Sequence, residues 1–584
     1  MKLLVALSAL ELLLKATDAF TVPHLDKTTC RHAVHLQVST LDEVKPSSVA
    51  SENLSRTGAD LDAWRRGYST CPKEIPPTKL RVELPKDFPS GTYYRNGGGR
   101  YEADDGTKVL HPFDADGMIV AMTFDSEENE ILFRNKFVET KGYVEDKATG
   151  KMSARGIFGT MRSGGFFANA FRTDFKNVGN TNVVHVGDDL YALWEGGLPY
   201  KLDPLTLKNK NGPGEMGDTN LDGTIKTDSF AAHLRYDPVN KSYVNFAVKF
   251  DPAVGSKITL YELDEQSFRP TKRNNPSIVS PGPGLIHDFI ITENYCIFNI
   301  NECSLSEKNA VKALFGFAGF SSSIDIDNSV KETSIVLIPR SLFDSNENVS
   351  DIDFLNDDRV IVCKVPNHFN FHFGNAFEDE DGNVVFDTTQ TSEIEIDSMS
   401  STSFPVWELD DPFGLVAPNV LVRYTLDIKE KKLSSDPKVL STQVPEFPTI
   451  PRDLSARKHR YLYPVASHRN IEASVKKGSG PAGALQKVDC EFPENTETFA
   501  FEPWEFPGEA VFVPKLGKDI TQPEQEDAGY LLVHVTNGRD KTTDLVVFDV
   551  EGKGGLENGP IIRFELPVFL PHMLHGNFFP GVTF

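Results

Sequence analysis

The sequence predicts a large all-β protein, on three observations. Stretches such as "NVVHVGDDLYALWEGG" and "GYLLVHVTNGRDKTTDLVVFDV" alternate apolar and polar residues around Gly-Asp or Asn-Gly, which is the chemistry of β-hairpins. Long amphipathic helices are scarce, the best candidate being "SEKNAVKALFGFAGF". Strand and helix also do not alternate as they do in a doubly wound sheet. Many short strands in a chain of 584 residues indicate a propeller or stacked sandwiches. No blade-length self-similarity is visible, so a propeller here would be an irregular one.

Taken from the N-terminus, residues 1–19 read as a signal-peptide-like segment. Lys2 precedes an apolar run from Leu3 to Leu14, interrupted by Glu11, and Thr17-Asp18-Ala19 offers small residues for cleavage. Residues 20–58 are polar and patternless and are expected to be transit-like or disordered. The junction "DAFTVP" resembles the Ala-Phe junction of the bipartite plastid presequences of algae with complex plastids, so a plastid is the expected location. Secretion is the alternative, and Asn53, Asn240 and Asn348, each in N-x-S/T, would then be glycosylation candidates. The folded body is expected over 59–584. Its further strands are carried by "KSYVNFAVKFDP", "SKITLYELDE" and "DEDGNVVFDTTQ", the last with Asp-Gly-Asn as its turn.

Composition narrows the partners. The net charge is −24, with no basic run, which argues against a nucleic-acid partner because phosphate binding needs concentrated Lys and Arg. The six cysteines are scattered and form no C-x-x-C, which excludes thiolate zinc modules and a dense disulfide framework; free thiols are expected. Phe is heavily used, at 41 residues. Core packing accounts for most of them, and a large apolar cavity would use the rest. Two motifs mislead. "GPGEMG" (Gly212 to Gly217) matches a nucleotide-binding fingerprint but follows no strand and contains a proline. "DTNLDG" (Asp218 to Gly223) opens like a calcium loop but has Ser229 at the twelfth position.

The fourteen histidines are the informative set. In "NHFNFHF", His368 and His372 share a face but stand about 13 Å apart along an extended strand, so only one could reach a given ion. In the terminal "FLPHMLHGNFFPG", Pro571 and Gly576 argue against a helix, and His572 and His575 then point to opposite faces. His233 in "AAHLRYDP", His287 in "LIHDFIITENY", His372 in "FHFGNAFED" and His575 in "LHGNFFPG" are too far apart for a local metal loop. Strands converging on one axis could still bring them together.

Those four motifs resemble, in order and context, the ligand-bearing motifs of the carotenoid cleavage oxygenase family. "GTYYRNGGGRY" with "HPFDADGMI", "NTNVVHVGDDLYALWEGGLPYKLDP", "EFPTIPRD" and "EPWEFPGEAVFVP" are similar to other motifs of that family, and plant-type epoxycarotenoid and carotenoid dioxygenases read closest. The resemblance runs from about residue 78 to the C-terminus. It implies a seven-bladed β-propeller with a helical and loop dome over an axial metal site holding Fe(II). His233, His287, His372 and His575 would be the ligands, and Glu195, Glu446 and Glu509 would receive hydrogen bonds from three of them. His111, in "HPFDADGM", matches a family histidine that is not a ligand. The resemblance makes His575 the inward residue of the terminal pair, and "LPHML" departs from the family's usual run before the last ligand.

The resemblance also implies the activity, a dioxygenase that cleaves a C=C bond of a carotenoid or apocarotenoid with O2 to give carbonyl products. Polyene isomerisation, isomerohydrolysis or stilbenoid cleavage on the same centre is the alternative. Val311–Phe320 occupies the place where the family often carries a membrane-dipping patch, so peripheral membrane contact is expected through Leu314, Phe315, Phe317 and Phe320. The sequence does not specify an oligomeric state.

Overall fold

The structure, a computed structural model, describes residues 54–210, 219–251, 255–394, 403–414, 416–471 and 477–584. The signal-like segment and most of the transit-like segment, with "GPGEMG", lie outside the described residues. Ser55 and Thr57 are buried and joined by a hydroxyl hydrogen bond, so the packed body already includes residues ahead of the boundary at 59.

Seven sheets form the blades of a β-propeller, and a two-stranded sheet stands apart. Blade one holds Ile75–Arg81, Gly91–Arg100, Asp116–Asp125 and Glu130–Phe137, and blade two holds Asn182–Val186, Asp189–Leu193 and Tyr200–Leu202. Blade three begins at Arg235–Asp237, blade four at Ile290–Ile291, blade five at Phe373–Glu378 and blade six at Glu446–Thr449. In blade seven Glu505–Pro507 and Val511–Pro514 both pair with Gly529–Asn537. The final strand, Gly576–Pro580, returns to pair antiparallel with Gly91–Arg100 of blade one. Blades differ in strand number, and Ile352–Asp353 joins blade three in parallel from between strands of blade four. That irregularity is why no repeat shows in the sequence.

The hairpins follow their turn residues. Gly187, with φ 56°, links the two strands of "NVVHVGDDLYAL". In "DEDGNVVF", Gly382 takes φ 80° while the Asp379 carboxylate accepts from the Asp381 and Asn383 amides, an Asx turn. The helix seen in "SEKNAVKALF" spans Glu307–Leu314. It lies outside the blades with helices Lys141–Thr149 and Phe166–Asn169.

The core lies between blades. Ile297, Ile335 and Leu337 of blade four pack with Phe386, Val422 and Tyr424 of blade five. Their sequence neighbours Cys296, Phe298, Val336 and Ile338 pack with Val244, Phe246 and Ile258 of blade three. Successive strand residues point to opposite faces, so an inner blade must be apolar on both. The same applies to Leu531 and Val533, which face blade six, and to Tyr530 and Leu532, which face blade one. Contact between blades seven and one closes the ring. The five cysteines among the described residues are free thiols, four of them buried.

Closure depends on close backbone approach. A Cβ at Gly97 would lie 2.6 Å from the Met573 Cα and 2.9 Å from the Leu574 nitrogen. Gly97→Ala should therefore destabilise the protein by about 1–3 kcal/mol, the usual cost of overpacking, read as a lowered denaturation midpoint. An unchanged midpoint would show that the closing segment can shift at no cost.

Candidate metal centre

The four histidines stand at corresponding places in the fold. His233, His287, His372 and His575 lie one to three residues ahead of the innermost strands Arg235–Asp237, Ile290–Ile291, Phe373–Glu378 and Gly576–Pro580. The structure gathers them at the propeller axis, where one nitrogen from each lies within 4.8 Å of the others. The last of the four is fixed through its backbone. The His575 amide donates to the Thr181 carbonyl and its own carbonyl accepts from the Asn96 amide at 2.9 Å.

Three imidazoles are oriented by carboxylates. His287 Nδ1 is 3.0 Å from Glu195 Oε1, His372 Nδ1 is 2.6 Å from Glu446 Oε2, and His575 Nδ1 is 2.9 Å from Glu509 Oε1. An N–H donated at Nδ1 leaves the Nε2 lone pair facing the centre. The carboxylates are themselves held: Glu509 accepts from the Gly576 amide at 2.9 Å, and Glu446 from the Thr389 hydroxyl at 3.2 Å. Each blade thus supplies one group: blades one, three, four and five a histidine, and blades two, six and seven a glutamate.

Electrostatics suit a cation. Burial, reinforced by the three neighbouring imidazoles, holds His233 well below the ordinary histidine range. Burial also lowers His575, against the opposing charge of Glu509. Burial works against protonation of His287 too, but Glu195 outweighs it and leaves that ring above its usual value. In each of Glu195, Glu446 and Glu509, burial favours the neutral acid, yet the paired histidine holds the group below the usual carboxylate range, helped by the other imidazoles at Glu195 and by further hydrogen bonds at Glu446 and Glu509.

The residues fit a metal. His233 Nε2 and His287 Nε2 stand 3.0 Å apart, a separation at which two lone pairs repel unless a proton or cation lies between them. The buried His372 Nε2 has no hydrogen-bond partner among the described residues, a costly state unless the centre is filled by a Lewis acid. An all-imidazole donor set suits first-row divalent ions, including Fe(II), and leaves their charge uncancelled. A second group of donors, Asp387, His459 and Cys490, is filled differently. Arg423 donates two hydrogen bonds to the Asp387 carboxylate, and His459 Nε2 lies 2.8 Å from it. His459, which reads in sequence as part of a polar basic stretch, is therefore buried in an ion-pair network.

Three other histidines are engaged elsewhere. His572 Nε2 donates to the Trp64 carbonyl at 3.0 Å, and its ring meets Tyr68 at 4.7 Å. His368 Nδ1 donates to the Pro366 carbonyl at 2.9 Å. His111 stacks on Phe158, and burial pushes its pKa down to about 3.

Residue types alone gave no signal for three further groups. Phe447 takes φ 49°, a left-handed conformation that costs a bulky residue energy. In that conformation its amide donates to Glu446 at 2.5 Å and its ring lies 5.1 Å from His372 and 5.0 Å from His575. Arg235, partly buried, and Asp288, fully buried, form an ion pair beside the histidines. They line a cavity of about 170 Å³ that His233, His372 and His575 also border.

A propeller with four histidines and three glutamates converging on its axis defines a mononuclear non-haem metal protein. The family profile described as retinal pigment epithelial membrane protein matches residues 68–580, and the chain belongs to that family. It is 32% identical over 529 residues to apocarotenoid-15,15'-oxygenase of Synechocystis sp., covering 88% of this chain and 95% of that protein. To the chloroplastic carotenoid cleavage dioxygenase 7 of rice it is 26% identical over 577 residues, covering 88% and 90%. Overall identity is thus higher to the cyanobacterial protein than to this plant one, although the short motifs read closest to plant enzymes. Cobalt-substituted Synechocystis ACO superposes with a TM-score of 0.74 at 30% identity, over 89% of this chain and 99% of that one.

His287→Ala should abolish bound iron, measured by metal analysis of the purified protein. Glu509→Gln should weaken metal retention about 10–100-fold. Near-normal iron in both variants would refute the assignment of the site.

Proposed function

We propose that this protein is a carotenoid cleavage dioxygenase that uses Fe(II) and O2 to split one C=C bond of a carotenoid or apocarotenoid into two carbonyl products. The convergence of four imidazoles within 4.8 Å on the propeller axis carries the reading. The 32% identity to an apocarotenoid oxygenase favours a polyene over a stilbenoid, since identity to the lignostilbene-α,β-dioxygenase isozyme III of Sphingomonas paucimobilis is 26%.

When bound, iron supplies the activation of O2 that no amino-acid side chain can perform. The chain's part is to hold and orient. His233, His287, His372 and His575 hold the metal, and Glu195, Glu446 and Glu509 fix three of the rings by accepting from Nδ1. Phe447, against two of the histidines, and Phe371, 5.6 Å from His287, give the polyene apolar surface and limit water. No protein acid or base is required, so positioning decides which bond reacts.

Membrane contact is part of the proposal. Phe317 is 62%, Phe167 94% and Phe171 59% exposed. Phe166 stacks on Phe317 at 5.4 Å, and Phe171 meets Phe315 at 4.9 Å. Buried Arg155 ties the two segments together by donating to the Arg172, Ala313 and Ala318 carbonyls. An apolar patch built from two short segments, each at a helix, and clasped by Arg155 suits insertion into one leaflet. No helix among the described residues is long and apolar enough to cross a membrane. Plastid import is proposed from "DAFTVP" and the apolar run before it. A fluorescent protein fused to residues 1–58 and seen in the secretory pathway would oppose that.

Iron-loaded protein incubated under air with a panel of carotenoids, apocarotenoids and stilbenoids should yield aldehydes or ketones from the polyenes, identified by mass spectrometry. The same mixture without oxygen should yield none. A geometric isomer of the polyene, or an alcohol released from its ester, formed anaerobically would indicate isomerisation or isomerohydrolysis instead. In liposome pelleting, Phe315→Asp with Phe317→Asp should leave most of the protein in the supernatant; pelleting equal to wild type would remove the membrane reading.

A further inference from the structure

Among the described residues, His233 is the one member of the four that no carboxylate orients. Its strand is held another way. Arg235, two residues on, reaches across two blades: its Nε donates to the Phe289 carbonyl at 2.7 Å and its Nη2 to the Phe373 carbonyl at 3.2 Å. The same Nη2 is ion-paired with Asp288. Asp288 accepts from the Phe289 amide at 2.7 Å and from the Phe373 amide at 2.8 Å. Asp288 directly follows His287, and Phe373 directly follows His372.

We propose that Arg235 and Asp288 are positioning residues, a staple that holds the strand of His233 in register with those of His287 and His372. The inference rests on the reading of the four histidines as one metal site. One guanidinium–carboxylate pair binds backbone beside three ligands from three blades, so a slip of any one strand breaks hydrogen bonds to the other two. On the far side of His233, Asn182 Nδ2 donates to the Ala232 carbonyl at 2.9 Å, so the ligand is bracketed. The Asp288 side chain is 1% exposed and that of Arg235 18%, where such hydrogen bonds are not screened by water. A planar fork is required. The single ammonium of lysine offers no fixed geometry for two carbonyls and a carboxylate together.

The test is Co(II) titration of the full chain, reading both affinity and the visible ligand-field spectrum, with thermal midpoints in parallel. Arg235→Met and Asp288→Asn should each weaken Co(II) binding about 10–100-fold, as loss of outer-shell partners does, and alter the spectrum. Arg235→Lys should recover part of the affinity. Lys487→Met breaks a buried pair with Asp527 that touches none of the four histidines; it should lower the midpoint and leave Co(II) affinity unchanged. Wild-type affinity and spectrum in both Arg235→Met and Asp288→Asn would overturn the staple. Should Arg235→Met fail to fold, Asp288→Asn decides on the same readings. Failure of the wild type to take up Co(II) would instead overturn the site on which the staple rests.

Discussion

Four imidazoles from four blades meet at one point, and the rest of the molecule is arranged around that convergence. Each comes from just ahead of an innermost strand, so the height of the site is set by where those strands begin. Imidazole is a short side chain, and a shift of one residue in any strand would turn the ring to the other face. The apolar packing between blades supplies the gross position. Hydrogen bonds from the glutamates and from the Arg235–Asp288 pair supply the rest.

The two scales of order differ in chemistry. Between blades the contacts are aliphatic and aromatic, as where Phe386 and Val422 meet Ile335, and such contacts tolerate small shifts. At the axis they become directional and charged, with the carboxylates kept ionised against the cost of burial. Strained Phe447 belongs to the second kind. Its left-handed backbone is the price of placing an amide on Glu446 and a ring beside two histidines at once.

Much of the fold was legible in the sequence, for physical reasons that differ by element. The hairpins announced themselves through Gly-Asp and Asp-Gly-Asn turns, because left-handed φ is cheap at glycine. Blade number was not legible from pattern, because blades unequal in strand count leave no period. Strand assignment was blurred wherever a blade is apolar on both faces, as in Gly529–Asn537. The four histidines could be singled out only through their surroundings, since residues from four distant motifs carry no local metal spacing. Arg235 and Asp288 gave no signal. An arginine two residues after a histidine is common, and its meaning appears only when the Phe289 and Phe373 carbonyls are seen to meet at its fork. His459 is the reverse case: its charged neighbours in sequence give no sign of a ring buried against Asp387.

The closing strand has a consequence for biosynthesis. Because Gly576–Pro580 seals blade one directly after His575, the ring cannot close and the fourth imidazole cannot join the other three until that segment has left the ribosome. A chain stopped early by a nonsense codon lacks both. A fragment that ends ahead of His575 keeps at most three of the four imidazoles, in a ring that stays open.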